Sequence, residues 1–247
     1  IISLQKDYDA RSEGLIRNAV DKKYCKGEKE FNFRKCYSDR LITWASKAVV
    51  REKRSKDLLL QNKNKLTTQS FIDILRDHGH NPKWNPTHGK ATLCLHAADF
   101  LFRRNQTVCS LVTKIGDNKQ YCYTTGASNP CISPYFPLFS SNTFTPKEYK
   151  EGSINYYRDS YWWENEYYHR KAIQYFHSAQ MEIQPLISRY EEEMISSIET
   201  PATLINQNMI DKYFIQAREI VRNWNAKLDK LNTNALSWHC LLYTSPS

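Results

Sequence analysis

The stretch from Tyr121 to Phe139, YCYTTGASNPCISPYFPLF, limits what this chain can fold into more than any other. It opens as an alternating β-prone run, breaks at Gly126 and continues as a loop holding Pro130, Pro134 and Pro137. Each proline fixes φ and removes a backbone donor, so the segment is expected to lie outside both sheet and helix. Yet Cys131, Tyr135, Phe136, Leu138 and Phe139 are too apolar for a solvated loop. Two readings follow: a packed crossover between two layers, or the wall of a ligand site.

Around that stretch the chain has ordinary globular chemistry. With 247 residues, 40% of them hydrophobic, it can bury one good core or two small ones and is not disordered. Only 7 glycines are present, and neither a GxGxxG nor a P-loop pattern occurs, which excludes the common phosphate cradles. The net charge of +9 raises the question of nucleic acid. Its densest basic run, Lys47 to Lys56, ends a helical pattern without an aromatic or Gly-rich recognition module, so it reads as a solvated helix face. No apolar run approaches the roughly 20 residues that cross a bilayer. The 7 cysteines lack any CxxC spacing and read neither as a zinc site nor as a disulfide scaffold. Cys36, Cys94, Cys109 and Cys122 are expected to be buried thiols. Asn105-Gln106-Thr107 is a glycosylation sequon.

Periodicity divides the chain into three parts. Residues 1–90 read as mainly helical. Asp9 or Ser12 caps a helix with Leu15, Ile16, Ala19 and Val20 on one stripe, and a second amphipathic helix runs from about Asn32 through Phe33, Cys36, Tyr37, Leu41, Trp44 and Ala48. Thr67 or Thr68 caps a third helix, with Phe71, Ile74 and Leu75. The loop from His78 to Lys90 carries His78, His80 and His88, weighed as a metal site but read as a solvated loop because no Cys or carboxylate is interleaved.

Residues 91–139 read as an antiparallel meander followed by the Pro-rich loop. Its strands are Ala91 to Phe102, Thr107 to Ile115 and Gln120 to Thr125, broken at Arg104-Asn105 and at Gly116-Asp117-Asn118. In the middle strand Cys109, Leu111, Thr113 and Ile115 make the more apolar face, and Val108, Ser110, Val112 and Lys114 the other. Residues 146–232 read as helical: Asp159 or Ser160 caps the first helix, Pro185 breaks the second, and Thr200-Pro201 restarts the last. Cys240 to Ser247, CLLYTSPS, resembles translated sequencing-adapter DNA and is read as a scar outside the fold.

The run from Thr125 to Ser133 resembles the TG-x-x-NPC-x-S segment of the secernin and dipeptidase A family, cysteine peptidases of the N-terminal-nucleophile (Ntn) hydrolase superfamily. Further segments are similar in the same order. They are Asp7-Tyr8-Asp9 with Ser12, Leu15 and Ala19; Phe31-Asn32-Phe33 through Tyr37-Ser38-Asp39; Thr67 to Asp77; and Tyr161-Trp162-Trp163-Glu164-Asn165-Glu166 with His169-Arg170. Together they span about residues 1–200. The resemblance implies an α+β fold that is a portion of an αββα sandwich, two stacked sheets flanked by helices.

It also implies a chemistry. An N-terminal Cys thiolate attacks an amide carbonyl, with its own α-amino group as base. That amine suits the role because its pKa, about 7.7–8.0, lies near working pH. Water then hydrolyses the acyl-enzyme. The implied substrates are dipeptides, whereas the secernins proper are tied to regulated secretion.

This chain begins at Ile1, so the nucleophile is expected upstream, in a missing N-terminal half of the same domain, and the chain by itself is expected to be inactive. Cys131 sits beside Pro130 without a neighbouring base in sequence and is read as structural or pocket-lining. Thr125, Asn129 and Cys131 are the candidate substrate-pocket residues. Glu166, His169 and Arg170 share a helix face and form the candidate polar group behind them. No cofactor and no metal ligands are expected. Two other readings remain: a non-enzymatic secernin-like protein acting through partners, and a basic helical module whose nucleic-acid binding would fall steeply with salt.

Overall fold

The computed structural model describes residues 10–87, 89–97, 105–116, 119–138, 146, 149 and 160–230. Asp7-Tyr8-Asp9, His88, Asp117-Asn118, Phe139, Asp159 and the Cys240 to Ser247 tail lie outside them. Two compact units divide the chain, Ile1–Gln61 and Asn62–Ser247.

The first unit holds α1 (Leu15–Asp21), a 3-10 turn (Glu28–Glu30), α2 (Phe33–Tyr37), α3 (Arg40–Ala45) and α4 (Ala48–Gln61). The single helix expected from Asn32 is therefore three. Asn32 does cap it, its side chain accepting from the Lys35 amide at 3.0 Å. Ser38 then turns extended, Asp39 accepts from the Ile42 amide at 2.8 Å, and Lys47 sits at φ 53°. Short polar side chains that bond the backbone locally restart a helix instead of continuing it. Ile16, Ala19, Phe31 and Cys36 form the small core, while Leu41, Ile42 and Trp44 remain exposed. The basic run falls on α4, none of whose residues is buried.

The second unit begins with α5 (Thr68–Leu75), closed by a reciprocal cap. The Ser70 amide donates to Thr67 Oγ1 at 3.1 Å and the Thr67 amide to Ser70 Oγ at 3.2 Å. A three-stranded antiparallel sheet follows, in the order β1 (Leu111–Ile115), β2 (Gln120–Thr124), β3 (Phe136–Pro137). Val112 stands opposite Tyr123, and Tyr123 opposite Pro137. The Gly116 amide closes the β1–β2 hairpin on Lys119 O at 2.9 Å.

Two strand expectations are corrected here. Residues 91–97 carry no strand, and 98–102 are outside the described residues. The third strand is drawn from the Pro-rich segment itself. Pro137 is tolerated because β3 lies at the sheet edge, where a missing donor leaves no partner stranded. The Leu138 amide resumes the ladder on Cys122 O at 2.8 Å.

The sheet also buries the less apolar face of β1. Val112 and Ser110 are buried with Tyr121 and Tyr123, whereas Leu111 is 55% and Ile115 75% exposed, with Cys109 and Thr113 exposed on the same side. Against the buried face pack α5, α7 (Phe176–Glu199) and α8 (Gln207–Asp229); α6 (Tyr161–Gln174) flanks them. Phe136, which by register lies on the Leu111–Thr124 side of the sheet, is also buried, meeting Tyr161 and Phe214 edge-on at 5.4 and 5.0 Å.

Two helix boundaries differ from expectation. Pro185 lies inside α7 and does not break it, because it sits on the solvent face, where the carbonyl that loses its donor can be hydrated. The break comes at Tyr175 instead, between α6 and α7. Thr200 ends α7, and α8 starts at Gln207, capped by Asn206, which accepts from the Met209 amide at 3.0 Å. Among the described residues no helix is long and apolar enough to cross a membrane.

Candidate functional site

The Asn-Pro-Cys loop is held from beneath by one buried ion pair. Arg76, at the end of α5, donates twice to Glu191 of α7 at 2.6 Å each, to Pro130 O at 2.7 Å and to Ser133 O at 2.9 Å. Glu191, fully buried, also accepts from the Tyr135 amide at 2.8 Å. A planar guanidinium can satisfy a carboxylate and two carbonyls at once, which Lys could not. Gln184 donates to Cys131 O and Ser133 Oγ to Ser128 O, so the loop is pinned at Ser128, Pro130, Cys131, Ser133 and Tyr135. Arg76 and Glu191 were not singled out in sequence. Arg76 stands inside the Thr67 to Asp77 resemblance, and Glu191 looks like any other acidic helix residue.

Local backbone chemistry shapes the loop. Gly126 has φ +53°, and Tyr149's ring stands where a Cβ would project. Asn129 takes φ 57°, ψ 81°, a left-handed turn that Asn tolerates, and Pro130 then opens a one-turn 3-10 helix, Pro130–Ile132. The segment is thus neither wholly outside sheet nor wholly outside helix. It supplies one short piece of each.

Thr125, Asn129 and Cys131 are all fully buried. Thr125 Oγ1 accepts from the Ser110 amide at 3.2 Å and its carbonyl accepts from Tyr161 at 2.8 Å, so Thr125 serves the fold. Both side-chain amide atoms of Asn129, Oδ1 and Nδ2, lack a hydrogen-bond partner among the described residues. The open groove of about 510 Å³ between α5, β1 and α7 is lined by Thr68, Phe71, Val112, Lys114 and Glu199, and contains none of the three.

Glu166, His169 and Arg170 do meet on α6. Glu166 Oε1 faces Arg170 Nε at 3.3 Å, and Oε2 lies 3.6 Å from His169 Nδ1, an ion-pair distance beyond hydrogen-bond reach. Gln106 Nε2 donates to the same Oε2 at 3.4 Å and to Ser128 Oγ at 3.1 Å, joining the trio to the loop. Burial pushes the Glu166 carboxyl up, but His169, Ser128 and Arg170 together hold it down at about 2.

The larger departure from expectation is a cluster that no local spacing announced. His78, Cys94, His96 and Cys131 converge so that one ligating atom from each lies within 4.8 Å of every other. His96 Nε2 is 3.2 Å from His78 Nε2, 3.5 Å from Cys94 Sγ and 3.4 Å from Cys131 Sγ. Of the three histidines weighed as a metal site, His78 takes part, His80 does not, and His88 lies outside the described residues; the loop is exposed at Gly79 to Lys83, as expected, but buries Trp84 and Pro86. Trp84, buried, stacks on His78 at 3.9 Å, and Phe176 stands edge-on to His78, Trp84 and His96. His96 leaves Nδ1 without a hydrogen-bond partner among the described residues.

Backbone pairing sets this register. The Cys94 amide donates to Asp77 O at 3.2 Å, the Thr107 amide to Leu95 O at 2.8 Å and the Asn129 amide to Thr107 O at 2.9 Å. Burial pushes the Cys94 thiol up, but hydrogen bonding with Cys131 and the charge and hydrogen bonds of His96 and His78 bring it well below its ordinary value. Cys131 moves up, through burial and its bond to Cys94. Of the four only Cys94 and His96 are neighbours in sequence; on an extended segment their spacing places both side chains on one face but says nothing of His78 or Cys131. Cys36 and Cys94 are buried as expected, whereas Cys109 is exposed and Cys122 half-buried.

These features define an α+β unit in which a buried Cys/His cluster and a clamped Asn-Pro-Cys loop share one core. No protein-family model, no curated protein and no solved structure matches the chain.

Proposed function

We propose that this chain is part of a cysteine-type Ntn amide hydrolase similar to the secernin and dipeptidase A family, acting on small peptides. The observation that carries the reading is the bare apolar face of β1. On β1 one face is packed on helices and the other presents Leu111, Ile115, Cys109 and Thr113 to solvent, while farther across that same sheet face Thr124 and Phe136 are buried. A bare apolar strand face at a sheet edge is what the second sheet of an αββα arrangement would cover.

The attacking thiol is not Cys94 or Cys131, which are fully buried beside aromatic rings where an amide carbonyl has no path to them. In this reading an N-terminal Cys outside these residues is the nucleophile, and the Asn-Pro-Cys loop with Glu166, His169 and Arg170 supports the pocket from behind. The test is to express the longest open reading frame that contains the chain, and to follow dipeptide hydrolysis before and after thiol alkylation. Hydrolysis that alkylation abolishes is the expected result. A folded full-length protein that cleaves no dipeptide sinks the reading and favours a partner-binding role for the same bare face.

A further inference from the structure

Two thiols and two imidazoles in a closed apolar shell are expensive unless something satisfies them together. Thiols are weak hydrogen-bond donors, and a buried thiolate needs a compensating charge. Here Cys94 and Cys131 are fully buried and His96 is 1% exposed, walled by Trp84, Phe176 and Tyr168. The spacing is informative. Tetrahedral zinc, with Zn–N of about 2.0–2.1 Å and Zn–S of about 2.3 Å, sets its nitrogens about 3.3 Å apart and each nitrogen about 3.5 Å from each sulfur. The observed separations are 3.2 Å for the nitrogen pair and 3.5 and 3.4 Å from His96 Nε2 to the Cys94 and Cys131 sulfurs, with all four ligating atoms within 4.8 Å of one another.

We propose that His78, Cys94, His96 and Cys131 bind one Zn²⁺ in a closed, structural Cys2His2 site. Two thiolates neutralise the ion's charge, which removes the cost of burying either alone. The donor set of two sulfurs and two imidazoles selects zinc over the hard, oxygen-seeking magnesium and calcium. All four positions come from the protein, so no coordination position remains for water or substrate, and the ion cross-links rather than catalyses. It would fasten three segments distant in sequence: the turn after α5 through His78, the extended run through Cys94 and His96, and the Asn-Pro-Cys loop through Cys131. Arg76 already holds the same loop two residues before His78, so ion and guanidinium clamp Pro130 and Cys131 side by side.

The site stands apart from the peptidase reading, since it asks for no nucleophile and is measured on this chain alone. The experiment is elemental analysis of the chain purified from zinc-supplemented medium, with cobalt substitution beside it. The expected result is about one zinc per chain, falling below about a tenth in Cys131→Ser and in His96→Ala, and unchanged in Cys109→Ser and His80→Ala. The cobalt form should show tetrahedral d–d bands and a thiolate-to-cobalt charge-transfer band. That spectrum is read on the unsubstituted chain, so variants that fail to fold leave the test intact. A folded, metal-free chain with no cobalt spectrum overturns the proposal, whether its two thiols titrate free or are joined in a disulfide. Full zinc retention in Cys131→Ser overturns it equally.

Discussion

Glu166 shows how much one carboxylate on a helix can be asked to do. Its folded-state pKa, about 2, lies below the ordinary 4.5, so it contributes stability that is fully present above about pH 4.5 and is lost as pH falls toward 2. A shift of this size corresponds to at most about 3 kcal/mol. Glu166→Gln should therefore cost about 1–3 kcal/mol at pH 7, and the gap between variant and parent should close through that acid window. Urea unfolding at a series of pH values measures it. A gap that stays constant from pH 6 to pH 2 would mean that Glu166 holds its neighbours by shape and not by charge. The trio's spacing was legible because positions three and four apart share a helix face. Its link to the loop through Gln106 was not, because that contact spans 60 residues.

At the scale of elements, the Arg76–Glu191 pair joins α5, α7 and the Asn-Pro-Cys loop in one buried polar network. Removing one member leaves the other as an uncompensated buried charge, a loss of about 3–5 kcal/mol. Arg76→Met should fall in that range by chemical denaturation. The double variant Arg76→Met/Glu191→Leu should not recover it, since Pro130 O, Ser133 O and the Tyr135 amide would all lose their partners. Near-parental stability of the double variant would show that the loop does not depend on the clamp. Elements whose signals are local were readable: the Thr67 cap, the helix start at Asn32 and the β1–β2 hairpin. Elements decided by tertiary context were not. Proline argues against a strand until its place at the sheet edge is known, and a Cys/His set drawn from positions 78, 94, 96 and 131 has no spacing to read.

At the scale of the whole molecule, the sheet's exposed side decides how the chain behaves in isolation. The more apolar face of β1 is the one left in solvent, and β1 is an edge strand among the described residues. Exposed apolar faces and open strand edges promote association, so the 247-residue chain should bind a dye for exposed apolar surface and self-associate as concentration rises. Leu111→Lys/Ile115→Lys should suppress both while changing the chain's own stability by no more than about 0.5 kcal/mol per site, because neither side chain is buried here. In a longer protein where a second sheet covers this face, the same pair of lysines should be severely destabilising, since each buried Leu or Ile contributes about 1.5–3 kcal/mol. Unfolding the two proteins side by side separates the cases. Equal tolerance of the lysines in both would mean that the face stays open to solvent in the longer protein too, and the half-sandwich reading would lose the observation it rests on.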